Sequence, residues 1–362
     1  MKNTVWLISL EPIPTRYTGQ WHTGIKEQLE LRAKGKFNIV QIDGLTNSGK
    51  PTEGAFLDFV GTNMWKSEQA IEFFNRIQDG SVQKGDKVLF TDAWNPTIIQ
   101  LKYISDLMGL ELQLHGIWHA GSYDPQDFLG RLIQDKRWTR NTERAIFHSL
   151  DLNYYATDFH INLFVDNVFA AEEDSQDYIG VKHKVVRSGQ PHEKLLEVLE
   201  PYYGAPVDKE NIILFPHRLA PEKQPELFRI LAEKLPQYEF IICQEQELTK
   251  DEYHDLLKRA KVVFSANLQE TLGISAMEAI KCGTIPMLPK RLSYTEMYEE
   301  EFLYPSRWTE PDRFEEHLDF LILKLTDYME NFNNYYNVIG KQLERLNRDY
   351  LSGDIMYEKL LS

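Results

Sequence analysis

Four charged residues fall in two short segments of this 362-residue chain, and their types suit the handling of a diphosphate and of sugar hydroxyls. The first segment is Ser265-Ala266-Asn267-Leu268-Gln269-Glu270-Thr271-Leu272-Gly273-Ile274-Ser275-Ala276-Met277-Glu278-Ala279, which follows the apolar run Val262–Phe264 and opens a helical pattern ending near Cys282-Gly283. A helix start presents unpaired backbone N–H groups and a positive dipole end, both suited to phosphate. Gly273 lets that backbone approach a ligand closely. Glu270 precedes the helix and Glu278 lies two turns inside it, so the two can address different parts of one extended ligand, each accepting hydrogen bonds from paired hydroxyls. The second segment is Phe215-Pro216-His217-Arg218-Leu219-Ala220-Pro221-Glu222-Lys223-Gln224. Arg218 offers a planar fork for phosphate and Lys223 a mobile point charge. Together they would neutralise charge developing on a departing nucleoside diphosphate. Either segment alone also fits a solvated helix face or a surface ion pair; their joint occurrence, each behind a strand, is what points to a site.

The first half of the chain has turns rich in polar and aromatic side chains: Arg16-Tyr17-Thr18-Gly19-Gln20-Trp21, Thr91-Asp92-Ala93-Trp94-Asn95-Pro96, and Gly116 to Asp124. None has the G-x-G-x-x-G spacing of a dinucleotide fingerprint. Asp92 could bind an acceptor hydroxyl or cap the helix opened by Pro96. His119 could face a ligand or be a satisfied histidine. Asp124 and Asp127 could suggest a metal-binding pair, although the intervening Pro125-Gln126 favours N-capping. Candidate acceptor contacts are Arg16, Tyr17, Trp94, Tyr123, Arg137 and Arg140. The last two belong to a basic cluster, Arg131, Lys136, Arg137, Arg140 and Arg144 with Trp138, against Asp135 and Glu143; Lys182, Lys184 and Arg187 form a second. Such clusters suit phosphate tracking and base stacking, or equally a salt-bridged, solvated helix face.

These residues need a scaffold, and the pattern supplies one. Short apolar runs alternate with helical periods, as βα units of a parallel sheet do. Strands are expected at Val5–Leu10, Asn38–Ile42, Lys87–Phe90, Leu112–Ile117, Tyr154–Ala156 and Lys184–Val186. After a Pro/Gly break at Leu199 to Pro206, more are expected at Ile212–Phe215, Phe240–Cys243, Val262–Ser265 and Ile285–Leu288. Helices are expected at Gly24–Lys34, Lys66–Ile77, Thr97–Leu107, Gln224–Leu235, Lys250–Arg259 and Ile274–Lys281. This gives an N-terminal domain at 1–198, a linker at 199–210, a C-terminal domain at 211–330, and helices at 331–362 that return to the first domain. Ligands of doubly wound sheets sit beyond the strands' carboxyl ends, which ranks the residues above over those on helix backs. The composition, 42% hydrophobic and 26% charged, is that of a globular enzyme. A net charge of −15 argues against indiscriminate nucleic-acid binding but leaves room for a local basic groove. Cys243 and Cys282 lack metal-ligand spacing and read as small buried residues. No run reaches the length of a membrane span, and Val5–Leu10 reads as a buried strand instead of a leader, so a cytoplasmic location is expected.

The span Glu270 to Glu278 resembles the E-x7-E motif of retaining GT4-like glycosyltransferases. Cys282-Gly283-Thr284-Ile285-Pro286 is similar to their CGTPVV segment. His217 to Lys223 is similar to their GRL-x-x-EKG segment, with His217 in place of the usual Gly and Gln224 in place of the final Gly. The resemblance implies the GT-B architecture, an α/β fold of two Rossmann-like doubly wound domains facing a central cleft. It implies a nucleotide-sugar co-substrate, UDP-linked by expectation, with no tightly bound cofactor and no metal required. Arg218 and Lys223 would bind the diphosphate, Glu270 the donor sugar and Glu278 the nucleotide ribose. Thr271, Leu272, Gly273 and Ile274 would line the donor, the last three through their backbone. Gly19 would stand in the loop lining the cleft, Gly189 before the interdomain segment, and His119 at the histidine near the reacting sugar. The implied catalytic set is His119, Asp92, Arg218, Lys223 and Glu270. Across nearly the whole chain, the strings RYTGQW, TDAWNP, HAGSYDPQDFLGRLI, FPHRLAPEKQ and SANLQETLGIS resemble tailed-phage glycosyltransferases that glucosylate or arabinosylate hydroxymethylated pyrimidines of viral DNA. Modified DNA is then the implied partner and the infected host's cytoplasm the location. The alternatives are a transferase acting on a surface polysaccharide, lipid or small molecule, and a nonenzymatic sugar-nucleotide or DNA-binding module.

Overall fold

The computed structural model describes residues 2–14, 16–45, 58–134, 136–169, 179–180, 182–203 and 209–362. Gly204-Ala205-Pro206 of the expected break and Asp135 of the basic cluster lie outside them. The chain forms two compact units, Met1–Lys194 with Ser352–Ser362, and Leu195–Leu351.

The first unit is built on a six-stranded sheet of order β2-β1-β3-β4-β5-β6. Its strands are β1 (Thr4–Ile8), β2 (Asn38–Ile42), β3 (Lys87–Phe90), β4 (Gln113–Ile117), β5 (Leu152–Tyr155) and β6 (Val185–Arg187). Every pairing is parallel, with Val5 beside both Ile39 and Lys87. Alternate residues of a strand point to opposite faces, and both faces of β1 are covered. Trp6 and Ile8 join Phe73, Phe90, Phe147 and Phe164 on one side, whereas Val5 and Leu7 join Trp21, Ile25 and Tyr154 on the other. That two-sided burial explains why these strands read as continuous apolar runs. The sheet order reverses between β1 and β3, so the loops after them, from Ser9 and from Thr91, flank the switch point where such sheets hold ligands.

The second unit has a five-stranded parallel sheet of order β11-β10-β9-β7-β8. Its strands are β7 (Glu210–Phe215), β8 (Glu239–Ile242), β9 (Ala260–Phe264), β10 (Ile285–Pro289) and β11 (Leu303–Tyr304). Here the order reverses between β7 and β9. The two charged segments leave the carboxyl ends of those two strands, so topology alone brings them together.

Three expectations are corrected. The domain break lies at Lys194/Leu195 instead of within 199–210, because Leu195 and Leu199 are buried in the second unit's core with Ile212, Leu214 and Leu257. Residues 331–351 stay with that unit. Gln342 accepts from Glu299 N (2.8 Å) and donates to Met297 O (2.8 Å), while Arg345 pairs with Glu299 (3.0 Å). Only Ser352–Ser362 returns to the first unit, burying Met356, Tyr357 and Leu360 against Trp21 and Leu29 at roughly 2 kcal/mol per side chain. Arg32 fixes this return by pairing with Asp354 at 2.7 Å. Third, the first helix begins at Tyr17, well before Gly24, so Gly19 sits in its first turn and not in a loop. A Cβ on Gly19 would stand 2.7 Å from Ile13 O, which is why the tight entry needs glycine.

Candidate active site

In the second unit the segment after β7 turns through a short 3-10 stretch, Pro221–Lys223, into helix Pro225–Lys234. Gln224 joins them in the left-handed region (φ 52°, ψ 54°), the conformation that accounts for glycine at this position in the related motif. Its side chain offsets the strain by donating to Ala266 O (2.6 Å) and Thr309 O (3.0 Å), tying this loop to the segment after β9. Lys223 is thereby buried, with Nζ donating to Gln269 O (2.5 Å) and pairing with Glu270 Oε2 at 3.4 Å. Arg218 is partly exposed and pairs with the buried Glu222 at 3.1 Å. His217 is buried, its Nδ1 3.5 Å from Ser275 Oγ. Burial pushes its imidazole well below the ordinary range, and the Lys223 and Arg218 cations push the same way, so it is neutral.

Glu270 Oε1 accepts from the backbone of Thr271 (3.1 Å) and Leu272 (3.4 Å), taking up amides that the sequence offered to a ligand. Gly273 caps helix Ile274–Lys281 at φ 82°, and a Cβ there would stand 2.8 Å from Tyr294 Cε1. Tyr294 is fully buried and accepts at its hydroxyl from Asn267 Nδ2 (2.9 Å). Thr271 and Leu272 are buried and Ile274 is half-buried. Glu278 occupies a separate set. Its Oε2 accepts from Tyr253 OH (3.0 Å), and Lys250 Nζ and His254 Nε2 each lie 3.6 Å from Oε1. These partners come from helix Lys250–Arg259, whose start is fixed by a capping box between Thr249 and Glu252. Burial raises the Glu278 carboxyl, but the neighbouring His254 imidazole, the Lys250 charge and the Tyr253 hydroxyl outweigh it, leaving it below the ordinary glutamate value of 4.5. The charged form therefore stabilises the fold above about pH 4.5, and that contribution fades as pH falls through the lowered native value. Glu278→Gln, neutral throughout, is expected to lose stability relative to wild type at pH 7 and to converge with it in acid; parallel denaturation curves across pH would contradict this.

At the carboxyl edge of the first unit, His119 Nε2 lies 2.8 Å from Thr91 O and Nδ1 lies 3.1 Å from Tyr17 OH. A carbonyl only accepts, so Nε2 carries the hydrogen and Nδ1 accepts from the tyrosine. Burial lowers the His119 pKa more than Asp92 raises it, so the ring is a neutral, satisfied histidine stacked on Tyr17. Asp92 pairs with Lys66 at 2.7 Å and accepts from Trp94 N (3.0 Å). It caps no helix; the helix it precedes, Thr97–Met108, has Pro96 at its N-cap, and Asn95 just before it accepts from Thr97 N at 3.0 Å. Asp127 caps helix Phe128–Ile133, and Asp124 accepts from Gln126 N (2.9 Å). Among the described residues no group of three His, Cys, Asp or Glu side chains is placed to hold a metal ion. Both cysteines are buried and unbridged.

Of the acceptor candidates, Tyr123 is buried and Trp94 half-buried with its N–H engaged. Tyr123 is a core residue, packed on Trp118 and Phe164 with its hydroxyl 2.5 Å from His160 Nε2. The Trp94 indole N–H is directed at the buried Glu143 (3.1 Å). In the second basic group, Lys184 is spent on His148 O and Leu150 O, both at 2.9 Å. Arg16 and Tyr17 are half-buried at the start of the first helix, Arg137 is exposed and Arg140 half-buried. Sequence reasoning missed Lys66, Asn267, Tyr253 and Tyr294. Asn267, three residues beyond β9, and Tyr294, just beyond β10, carry the strand-end signal that would have found them.

The two sheets define the class of the fold. Over 100% of this chain and 99% of the other, it superposes on the catalytic domain of starch synthase IV from Arabidopsis thaliana, solved with ADP and acarbose, with a TM-score of 0.61 at 11% identity. Sucrose-phosphate synthase from Thermosynechococcus elongatus matches at 0.61 and 14% identity over 99% of each chain. WaaG, a glycosyltransferase involved in lipopolysaccharide biosynthesis, matches at 0.56 and 15% over 98% and 99%. The fold is that of the GT-B glycosyltransferases. In sequence, the tRNA-queuosine alpha-mannosyltransferase of Drosophila melanogaster is 24% identical over 200 residues, 42% of this chain and 51% of that protein, so the match spans about half of the relative's length. No family model matches the chain. Among the described residues no helix is long and apolar enough to cross a membrane.

Proposed function

We propose that this chain is a glycosyltransferase that moves a sugar from a nucleoside diphosphate, UDP in the first instance, to a hydroxymethylated pyrimidine of DNA, as in phage genomes. The observation that carries the donor half is the pair of buried Lys223 and half-buried Glu270, set at the switch point between β7 and β9 beside the helix capped by Gly273. Lys223 and Arg218 take the diphosphate, and Glu270, on exchanging its own backbone amides for ligand, takes the sugar hydroxyls. Thr271, Leu272, Gly273 and Ile274 line the donor. Glu278, with Lys250 and Tyr253 around it, takes the ribose. In the first unit, Gly19 permits the tight entry of the first helix, and His119 and Asp92 stand at the carboxyl edge of their own sheet as the acceptor-side contacts. In the step, the bond from sugar C1 to the phosphate oxygen breaks as the acceptor oxygen bonds C1. The acceptor proton passes to the departing diphosphate, whose charge the two cations hold. Attack on the face the diphosphate leaves gives retention.

The acceptor assignment is supported by the phage-enzyme strings and by the relative whose printed acceptor is a tRNA nucleoside. That match also favours a second reading, a modified tRNA nucleoside. Incubation of the protein with UDP-sugars and hydroxymethylated DNA, unmodified DNA or tRNA, followed by mass spectrometry of the nucleosides, separates them. A hexose or pentose increment on the hydroxymethylated base is expected. An increment only on a tRNA nucleoside selects the second reading. Donor cleavage with neither moves the acceptor to a saccharide, lipid or small molecule.

A further inference from the structure

One surface of the first unit is unused by the donor chemistry. Helix Arg137–Ser149 opens on Lys136, Arg137 and Trp138, with Arg140 one turn on and no acidic residue in its first turn. Cations at a helix's positive end cost it stability, about 0.3–1 kcal/mol each, so helix formation does not account for them. Nor does packing, since Lys136 and Arg137 are exposed and form no ion pair among the described residues, and Trp138 is 54% exposed. The helix's one acidic residue, Glu143, is buried and occupied by Trp94 and Ser122, so it does not neutralise the surface.

Topology places this cluster on the edge that binds ligands. The chain leaves β4 at Ile117 on the sheet's carboxyl edge, and the helix must deliver it to the amino edge, where β5 begins at Leu152. Thirteen helical residues span about 20 Å, roughly the depth of the sheet layer, so the first turn stands at the carboxyl edge with Asp92 and His119. On a chain of net charge −15, such a patch attracts a polyanion only locally.

We infer that Lys136, Arg137 and Trp138 form a docking platform for the acceptor DNA, the cations on its phosphates and the indole stacked on an unpaired base. This rests on the nucleic-acid acceptor reading above. An exposed indole directly after two cations serves both needs, because every base has a π-face and stacking tolerates any sequence.

The test is fluorescence-anisotropy binding of a labelled hydroxymethylcytosine-containing single-stranded oligonucleotide and of labelled tRNA across a salt series. Trp138→Ala is expected to raise Kd about 5- to 150-fold for the DNA oligonucleotide, with Trp138→Phe keeping most of the affinity. Lys136→Ala/Arg137→Ala is expected to lower the slope of log Kd against log salt by about 1.4. UDP binding, measured alongside, should be unchanged in each. Wild-type affinity and salt slope in both variants overturn the platform, as does a wild-type protein that binds only tRNA or neither nucleic acid. Trp138-dependent binding without sugar transfer leaves the platform standing and overturns only the acceptor reading.

Discussion

Lys223→Ala is expected to reduce kcat for sugar transfer by about 100- to 1,000-fold while leaving the fold intact. The magnitude follows from removing one preorganised donor aimed at developing charge in a buried site. Lys223 is poised for that task because Gln269 O and Glu270 hold its ammonium in place before any ligand arrives. The fold should survive, since Glu270 keeps its hydrogen bonds from Thr271 and Leu272 and is partly open to water. The loss should fall on kcat more than on KM, because the charge that Lys223 meets is greatest as the diphosphate departs. Steady-state kinetics, with circular dichroism to confirm folding, check this; near-normal turnover would remove Lys223 from the mechanism.

Gly273→Ala is expected to damage both stability and turnover. The residue lies at φ 82°, where a Cβ costs about 1–2 kcal/mol. That Cβ would also stand 2.8 Å from the Tyr294 ring, which is fully buried and hydrogen-bonded to Asn267, so it has nowhere to move. Overpacking of this kind adds about 1–3 kcal/mol. A fall in Tm of about 5–10 °C is expected, and because the turn carries Glu270 at its start, transfer should fall with it even at temperatures where the variant is folded. A thermal melt indistinguishable from wild type would contradict the geometry.

Much of the fold was legible because parallel strands covered on both faces are written as short apolar runs, as β1 and β7 show. The first helix was read seven residues late because Thr18 and Gly19 lower the helical signal exactly where tertiary fit to Ile13 demands glycine. The strand β11 is two residues long and left no pattern. The domain boundary was misplaced because Pro and Gly mark where chain direction changes, whereas Leu195 and Leu199 are assigned by what they pack on. In the site, Arg218, Lys223, Glu270 and Glu278 were visible because each motif is contiguous. Their partners were not, because Tyr253 and Tyr294 come from other elements. Tyr123 shows the opposite error: an aromatic turn reads as a binding surface, but the sequence does not say that this ring is buried in the core.

The central claim is that the loops after β7 and β9 form a nucleotide-sugar donor site. Calorimetric titration with UDP, and with ADP for comparison, tests it most directly. Saturable binding of a nucleoside diphosphate is predicted for wild type, weakened strongly by Lys223→Ala and not by Trp138→Ala. Absence of binding to either nucleotide, or binding untouched by loss of Lys223, would contradict it.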